Sequence, residues 1–395
     1  MSAKDLLLIG GARTPMGEYT GVLKDFTANA LGAIAARAAL ARSGVGADRI
    51  DQTVYGNALQ TSADAIYGAR HVALYAGVPI DRPALTVNRL CGSGIQSIIS
   101  AAQLIQLGEA GVVLAGGMES MSQAPFVLRG ARTGYRLGHG QLEDLLMASL
   151  MDSYCGYYMA QTAENLARKH EISREEQDRF ALLSQQRAQA AISAGRLKEE
   201  IVPVEIKTKK GVELFEHDDH VRPDTTLEGL AKLKPAFSKD GTVTAGNASG
   251  IVDGAAAVVV ASDTAARELN LTPMGRIISW AVAGVEPEIM GIGPVPATRQ
   301  ALAKAGLKLE DIDLVEVNEA FAAQYLAVEK ELGLIPERTN VNGGAIALGH
   351  PLGASGTRLV LTLLYELRRR KARYGLATAC IGGGQGIAII VESIG

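Results

Sequence analysis

Apolar and polar positions along this chain fall into blocks that predict repeated strand, turn and helix units. The wholly apolar runs Val112–Ala115 and Ala256–Ala261 read as strands buried on both faces, since a half-exposed strand would alternate. Segments Ala28–Arg42, Ile95–Leu107 and Thr357–Leu367 carry apolar residues at helical spacing. Ala84–Asn88, Ile312–Val317 and Gly375–Ala379 add further strand-like stretches. Strands alternating with helices in this way predict an α/β protein built in layers.

The pattern occurs twice. Residues 39–51 (Ala-Leu-Ala-Arg-Ser-Gly-Val-Gly-Ala-Asp-Arg-Ile-Asp) match residues 301–313 (Ala-Leu-Ala-Lys-Ala-Gly-Leu-Lys-Leu-Glu-Asp-Ile-Asp) without a gap, at an offset of 262. Six of the thirteen positions are identical, and each segment reads as a helix closed by glycine, Gly44 or Gly306, before a turn into a strand. Val87-Asn88 ahead of Cys91 recurs as Val341-Asn342 ahead of His350, and Leu114–Gly117 as Cys380–Gly383. Three matches in one order imply a duplicated α/β unit. Between the copies the character changes: Ser173-Arg-Glu-Glu176 is a capping-box signature for a long polar helix that Gly195 ends, and charged, turn-prone segments follow. The expected organisation is residues 1–120 with 251–272 as a first half, 121–250 as an inserted loop domain, and 273–395 as a second half.

Composition narrows the function classes. Of 395 residues, 47% are apolar and 21% charged, and 39 Lys+Arg against 42 Asp+Glu leave a formal charge of −3. These values exclude a disordered chain and a basic nucleic-acid binder. The longest apolar stretch, Ala255–Ala261, is far short of the roughly 20 residues of a membrane span. After Met1–Asp5, the run Leu6–Ile9 is too short for a secretory signal. Three scattered cysteines make no disulfide framework. The expectation is a soluble cytoplasmic protein that binds neither membrane nor nucleic acid.

The cysteines matter for chemistry instead. Cys91 opens Cys-Gly-Ser-Gly94 ahead of a helix, where the dipole and free N–H groups would favour thiolate. His350 sits between glycines, before a proline and another helix, at the matching place in the second copy, so the two turns are expected to meet. Cys380 precedes Ile-Gly-Gly-Gly-Gln-Gly386, whose backbone N–H groups are free to hold an oxyanion. Asn318 ends a strand and either caps the next helix or holds a catalytic water. Cys155 reads as structural. Glu119 and Glu319 read as hydrogen-bonded supports, and His217-Asp-Asp-His220 as a solvated turn, because no further ligand motif accompanies it. No Gly-x-Gly-x-x-Gly motif opens an early βαβ unit, which argues against a dinucleotide site.

Taken together, Asn88-Arg-Leu-Cys-Gly-Ser-Gly94, Gly116-Gly-Met-Glu-Ser-Met-Ser122, Asn318-Glu-Ala-Phe-Ala322, Gly349-His-Pro-Leu-Gly-Ala-Ser-Gly356 and Cys380-Ile-Gly-Gly-Gly-Gln-Gly386 resemble the motifs of the thiolase family, in family order and across the whole chain. The resemblance implies the duplicated five-layer α-β-α-β-α fold with an inserted loop domain. It implies acyl transfer between coenzyme A (CoA) and acetyl-CoA, making or cleaving acetoacetyl-CoA, with an open range of longer 3-ketoacyl-CoAs. By the same resemblance Cys91 would be the nucleophile, His350 its activator and Cys380 the acid/base at carbon. Asn318 would hold a water that forms one oxyanion hole with His350, and the N–H groups of Cys91 and Gly382 would form the other. Arg222 and Phe237 would lie near the nucleotide, Ser249 near the pantetheine, and Met159, Met290, Ala320 and Phe321 around the thioester. Tyr158 departs from the histidine common there in acetoacetyl-CoA thiolases and would bear on acyl preference. No metal or other cofactor is implied, CoA thioesters being the substrates. A homotetramer is implied, with contacts through Ala124–Leu150. The rivals are a decarboxylating ketoacyl synthase-like enzyme, against which the Cys91/Cys380 pair argues, and a silent acyl-CoA-binding scaffold.

Overall fold

The computed structural model describes residues 5–394. Met1–Lys4, part of the start read above as unlike a secretory signal, lie outside the described residues. Leu6–Arg13 form β1, buried along its whole length. The first half continues with α1 (Ala28–Ser43), β2 (Gln52–Gly56), α2 (Gly68–Tyr75), β3 (Ala84–Val87), α3 (Ser93–Leu107) and β4 (Val112–Glu119). A long intervening segment carries α4 (Met159–Lys169) and α5 (Arg174–Ser193) before β5 (Val252–Ser262) returns to the sheet. The second half runs β6 (Gly275–Gly284), α6 (Pro294–Ala305), β7 (Leu314–Val317), α7 (Ala322–Leu332), α8 (Leu352–Arg370), β8 (Tyr374–Ile381) and β9 (Gln385–Ser393).

Strand order displays the duplication. One sheet reads β3-β2-β4-β5-β1 and the other β7-β8-β9-β6, joined edge to edge where Leu7 pairs with Arg276 and Leu8 with Gly275. β2 is parallel to β4 as β7 is to β8, and β4–β5 and β8–β9 are both antiparallel. The counterpart of β3 survives as a single parallel bridge between Val315 and Thr339. The matched helices α1 and α6 both close on a left-handed glycine, Gly44 at φ 69° and Gly306 at φ 67°. The spatial correspondence follows the one found in sequence.

Five layers follow from which face each strand residue buries. Leu7, Ile9, Leu114, Ala257 and Val259 face α1 and α2, whereas Leu8, Val54, Val113 and Val258 face a middle layer. From the other side Ile277, Ala377, Ile387 and Ile389 face the same middle layer, and Val315, Val317, Leu376 and Ile390 face α6 and α7. The middle layer is α3 with α8, both covered on two sides. Truncating one of its buried Leu or Ile residues to Ala would cost about 2–5 kcal/mol. This placement explains why Leu90–Leu107 has a mean hydropathy of 1.2 over 18 residues: its apolar surface faces two sheets.

The first turns of α3 and α8 touch through glycine. A Cβ on Gly94 would lie 2.4 Å from the backbone nitrogen of Thr357, and one on Gly356 would lie 2.4 Å from that of Ile95. Real side chains do not come so close, so any other residue would push these helix starts apart.

The intervening segment packs against both halves. α5 begins with the expected capping box, Ser173 Oγ accepting from Glu176 N while the Glu176 carboxylate accepts from Ser173 N. Although polar overall, it buries Phe180, Ala181, Ser184, Ala188 and Ala191 along one stripe. The turn at 217–220 is not the solvated one expected. Asp218 is buried and takes a forked pair from Arg13 Nη1 and Nη2 at 2.6 and 2.8 Å, while Arg13 Nε donates to Glu200 at 2.6 Å. A guanidinium buried in β1 demands such partners, and they come from far along the chain.

Candidate active site

Cys91 lies in a 3-10 turn, Leu90–Gly92, directly before α3. Leu90 is held in the left-handed region at φ 44°, where a branched residue is strained. Its neighbours fix the turn. Asn88 Oδ1 accepts from Leu90 N at 2.9 Å, and Ser93 Oγ accepts from Arg89 N at 2.8 Å while donating to Leu90 O at 2.7 Å. Arg89 Nη1 donates to Gln385 Oε1 at 2.9 Å, tying this turn to the glycine turn after β8. That second turn uses left-handed Gly383 and Gly384 at φ 80° and 83°. It delivers the N–H of Gly382 to the sulfur of Cys91, which the N–H of Cys91 also faces.

The thiolate expected from the helix start is not the resting form. Burial pushes the Cys91 thiol up to about 11, the Gly382 and Cys91 N–H groups pull it down, and the charge of Glu119 pushes it up further. Removal of water outweighs the helix-end field here. Cys380 is fully buried beneath Met290 and Ala320 and is pushed up strongly, first by burial and then by Cys91. The two sulfurs are therefore neighbours, though only Cys91 lines the open cavity.

His350 lies just ahead of α8, its backbone N–H donating to Gly250 O at 2.9 Å. Ser355 Oγ donates to Pro351 O at 3.0 Å and lies 2.6 Å from His350 Nδ1. With its one proton committed, the serine accepts from Nδ1–H, which leaves a lone pair on Nε2. Asn318 Nδ2 lies 3.2 Å from that Nε2. Burial drives the imidazole down to about 3, helped by the nearby Arg358 charge, so it stands neutral. Asn318 is not a helix cap: α7 begins four residues later at Ala322, with Phe321 in the cap position. Its Oδ1 is buried without a partner among the described residues and could accept from a water or a ligand.

Glu119 and Glu319 brace these turns from behind. Glu119 accepts from Ala58 N, Leu59 N and Asn57 Nδ2 beside the cysteine turn and from Gly353 N beside the histidine turn, at 2.7–3.1 Å. Burial pushes it up to about 7 against those donors. Glu319 accepts from Ser184 Oγ, Asn340 Nδ2 and Ile346 N.

A cavity of about 430 Å³ opens above Cys91 and His350. Tyr158, Met159, Met290, Ala320, Phe321, Phe237 and Ser249, all singled out from sequence, line it, and the rings of Tyr158 and Phe237 stand 6.0 Å apart. Its side wall forms where Ala248 bridges Phe321 and Ser249 N donates to Ala320 O at 3.0 Å. Arg222 is not in this cavity but in an adjoining outer one of about 690 Å³, and Glu18, His220 and Ala245 line both. Asn318, Cys380 and Gly382 stand behind the lining. Cys155 lies on a hairpin turn between Met151–Asp152 and Tyr157–Tyr158 and lines neither cavity. Among the described residues no group of three or more His, Cys, Asp or Glu side chains is arranged to hold a metal ion. Sequence reading missed Ser355, Arg89, Gln385 and Glu18, and read His220 only as part of a solvated turn. The first three sit inside the quoted motifs, whereas Glu18 carries no local signal and His220 none for its partner.

Two thiols, a neutral imidazole and paired N–H donors at the end of a long apolar cleft define a thiol-dependent site, and comparison with known proteins agrees with the fold. Residues 6–264 match the family model of the thiolase N-terminal domain and residues 271–393 that of the thiolase C-terminal domain, so this chain belongs to the thiolase family. It is 58% identical to the mitochondrial 3-ketoacyl-CoA thiolase of Homo sapiens over 391 residues, covering 99% of this chain and 98% of that protein. It is 52% identical to an acetyl-CoA acetyltransferase of Pseudomonas aeruginosa over 388 residues, covering 98% of each. A crystal structure of the human mitochondrial 3-ketoacyl-CoA thiolase in complex with CoA superposes with a TM-score of 0.97 at 56% identity, covering 100% of this chain and 99% of that one.

Proposed function

We propose that this chain transfers an acyl group between CoA and the α-carbon of acetyl-CoA through a thioester on Cys91. The observation that carries the reading is the convergence at one cavity of Cys91 and neutral His350, which line it, with the Gly382 N–H and Cys380 beside Cys91. The Cys91 proton passes to His350 Nε2 as sulfur attacks the thioester carbonyl, and the N–H groups of Cys91 and Gly382 hold the oxyanion. The departing CoA sulfur takes the proton of Cys380. That leaves a Cys380 thiolate whose buried, strongly basic sulfur removes a proton from the α-carbon of acetyl-CoA. His350 and a water on Asn318 hold the enolate oxygen. Carbon attacks the acyl group, Cys91 leaves, and its sulfur recovers the proton from His350. Thiolysis is the reverse. A decarboxylating condensing enzyme has no use for a second thiol at this point.

CoA would enter through the outer cavity past Arg222, with its nucleotide near Phe237 and its pantetheine along Ser249. Tyr158, in the cavity wall beside Met159, bears on acyl preference. We infer a homotetramer as well, supported by the exposed apolar side chains of Phe126, Leu137 and Leu142 within Ala124–Leu150. Thiolysis rates over 3-ketoacyl-CoAs of increasing length test the activity. Turnover of several lengths is expected, with Tyr158→His shifting the profile toward the shortest; no CoA-dependent cleavage of any would refute the reading.

A further inference from the structure

We propose that Glu18 and His220 form a positioning pair in the neck between the two cavities, where the imidazole receives an amide N–H of the thiol substrate's arm. This rests on the CoA reading above and names a contact within it. His220 Nδ1 lies 3.1 Å from Glu18 Oε2, and the other carboxylate oxygen accepts from Arg222 Nη2 at 3.0 Å. A carboxylate only accepts, so Nδ1 carries the hydrogen, and a ring with that single proton presents Nε2 as an acceptor. That nitrogen has no hydrogen bond to the described residues. The ring is fixed from three sides. Glu18 N donates to Asp219 at 2.6 Å, Asp218 is locked to buried Arg13, and the imidazole lies flat against Gly250, where a Cβ would fall 2.3–2.5 Å from ring atoms.

Position makes the pair more than a clamp. Both side chains line the outer and the inner cavity, so an arm reaching from Arg222 to Cys91 passes them. Of the three residues that line both cavities Ala245 has no polar side chain, so Glu18 and His220 supply the side-chain hydrogen-bonding groups of the neck, while Tyr19, Tyr158, Thr244 and Ser249 add hydroxyls to the inner cavity. The Gly250 backbone under the ring also holds the N–H of His350 at 2.9 Å, so the neck and the catalytic imidazole share one support. An arm with amide groups, as in a pantetheine thiol, supplies the N–H donor that the free Nε2 requires.

The test compares the wild-type protein with His220→Phe, which keeps the ring packed on Gly250, and with Glu18→Gln. Calorimetry measures binding of CoA and of pantetheine, which lacks the nucleotide, alongside kcat and KM for CoA and rates with 2-mercaptoethanol, which lacks both amides. For His220→Phe the expected result is a roughly fivefold to tenfold weaker Kd for both CoA and pantetheine, consistent with one lost hydrogen bond. KM for CoA should rise more than kcat falls, and the ratio of CoA to 2-mercaptoethanol rates should drop by a similar factor. Glu18→Gln should show the same signs at smaller amplitude. Unchanged pantetheine binding, a loss confined to CoA, or an equal loss with 2-mercaptoethanol would overturn the proposal. A wild-type protein that binds CoA without turning over would refute the activity while the binding comparison still decides the neck; one that does not bind CoA refutes both.

Discussion

Nδ1 of His350 and Oγ of Ser355 lie 2.6 Å apart, and because that hydroxyl spends its proton on Pro351 O the imidazole is fixed with its lone pair on Nε2, toward Asn318. Ser355→Ala removes the acceptor and leaves a buried N–H unpaired, at a cost of about 1–3 kcal/mol. The ring is then free to change tautomer. We expect acylation by acetyl-CoA to slow by about 10–100-fold with KM little changed, and Ser355→Thr to restore part of the loss. Stopped-flow release of CoA measures this.

The two thiols separate by half-reaction. Cys91→Ala should give no acetylated protein by mass spectrometry after exposure to acetyl-CoA. Cys380→Ser should still acetylate at Cys91 but condense at least 10²-fold more slowly, the scale of a lost general base. Equal loss of both steps in Cys380→Ser would make that sulfur a packing group.

Acidity follows from burial. Alkylation of Cys91 by iodoacetamide should rise steeply above pH 8 toward a midpoint of about 11, instead of saturating near neutrality as an ion-paired thiolate would. His350 gives the opposite limb. Its folded value of about 3 lies below the ordinary 6.5, so between those values the unfolded chain binds a proton that the folded chain refuses. Stability contributed by this group is present above pH 6.5 and is lost as pH falls toward 3. The Tm difference between wild type and His350→Asn should shrink on acidification from pH 7 to 4, as scanning fluorimetry would reveal; a growing difference would contradict the assignment.

Glu119 is one carboxylate holding both turns. Glu119→Gln turns an amide NH₂ toward N–H donors, and we expect a loss of about 2–4 kcal/mol in denaturant unfolding. Acetylation should slow as well, because Gly353 N and the Ala58–Leu59 backbone lose a common partner.

Much of the fold was legible because it rests on local signals. Glycines ending α1 and α6, the capping box of α5 and unbroken apolar strands each follow from a few adjacent residues, and repetition of the first pair revealed the two halves. The cysteine and histidine motifs likewise pointed to turns that do meet. What stayed hidden depends on distance along the chain. Arg13 with Asp218 and Glu18 with His220 are separated by more than 200 residues, so a turn that reads as solvated is in fact clamped to the core. Asn318 left two readings open, a helix cap or a holder of water, because its residue type suits both, and only its side chain's approach to His350 separates them. The resting state of Cys91 was misjudged for a related reason: a helix start is visible in sequence, whereas the depth at which it is buried is not.

The glycine contact between Gly94 and Gly356 has a mechanical consequence. Nucleophile and base ride on helix starts whose backbones abut, so a thermal displacement of one carries the other along. Their separation should fluctuate less than the distance of either from the outer helices, letting the walls of the cleft adjust to different acyl groups while the gap the proton crosses keeps its length.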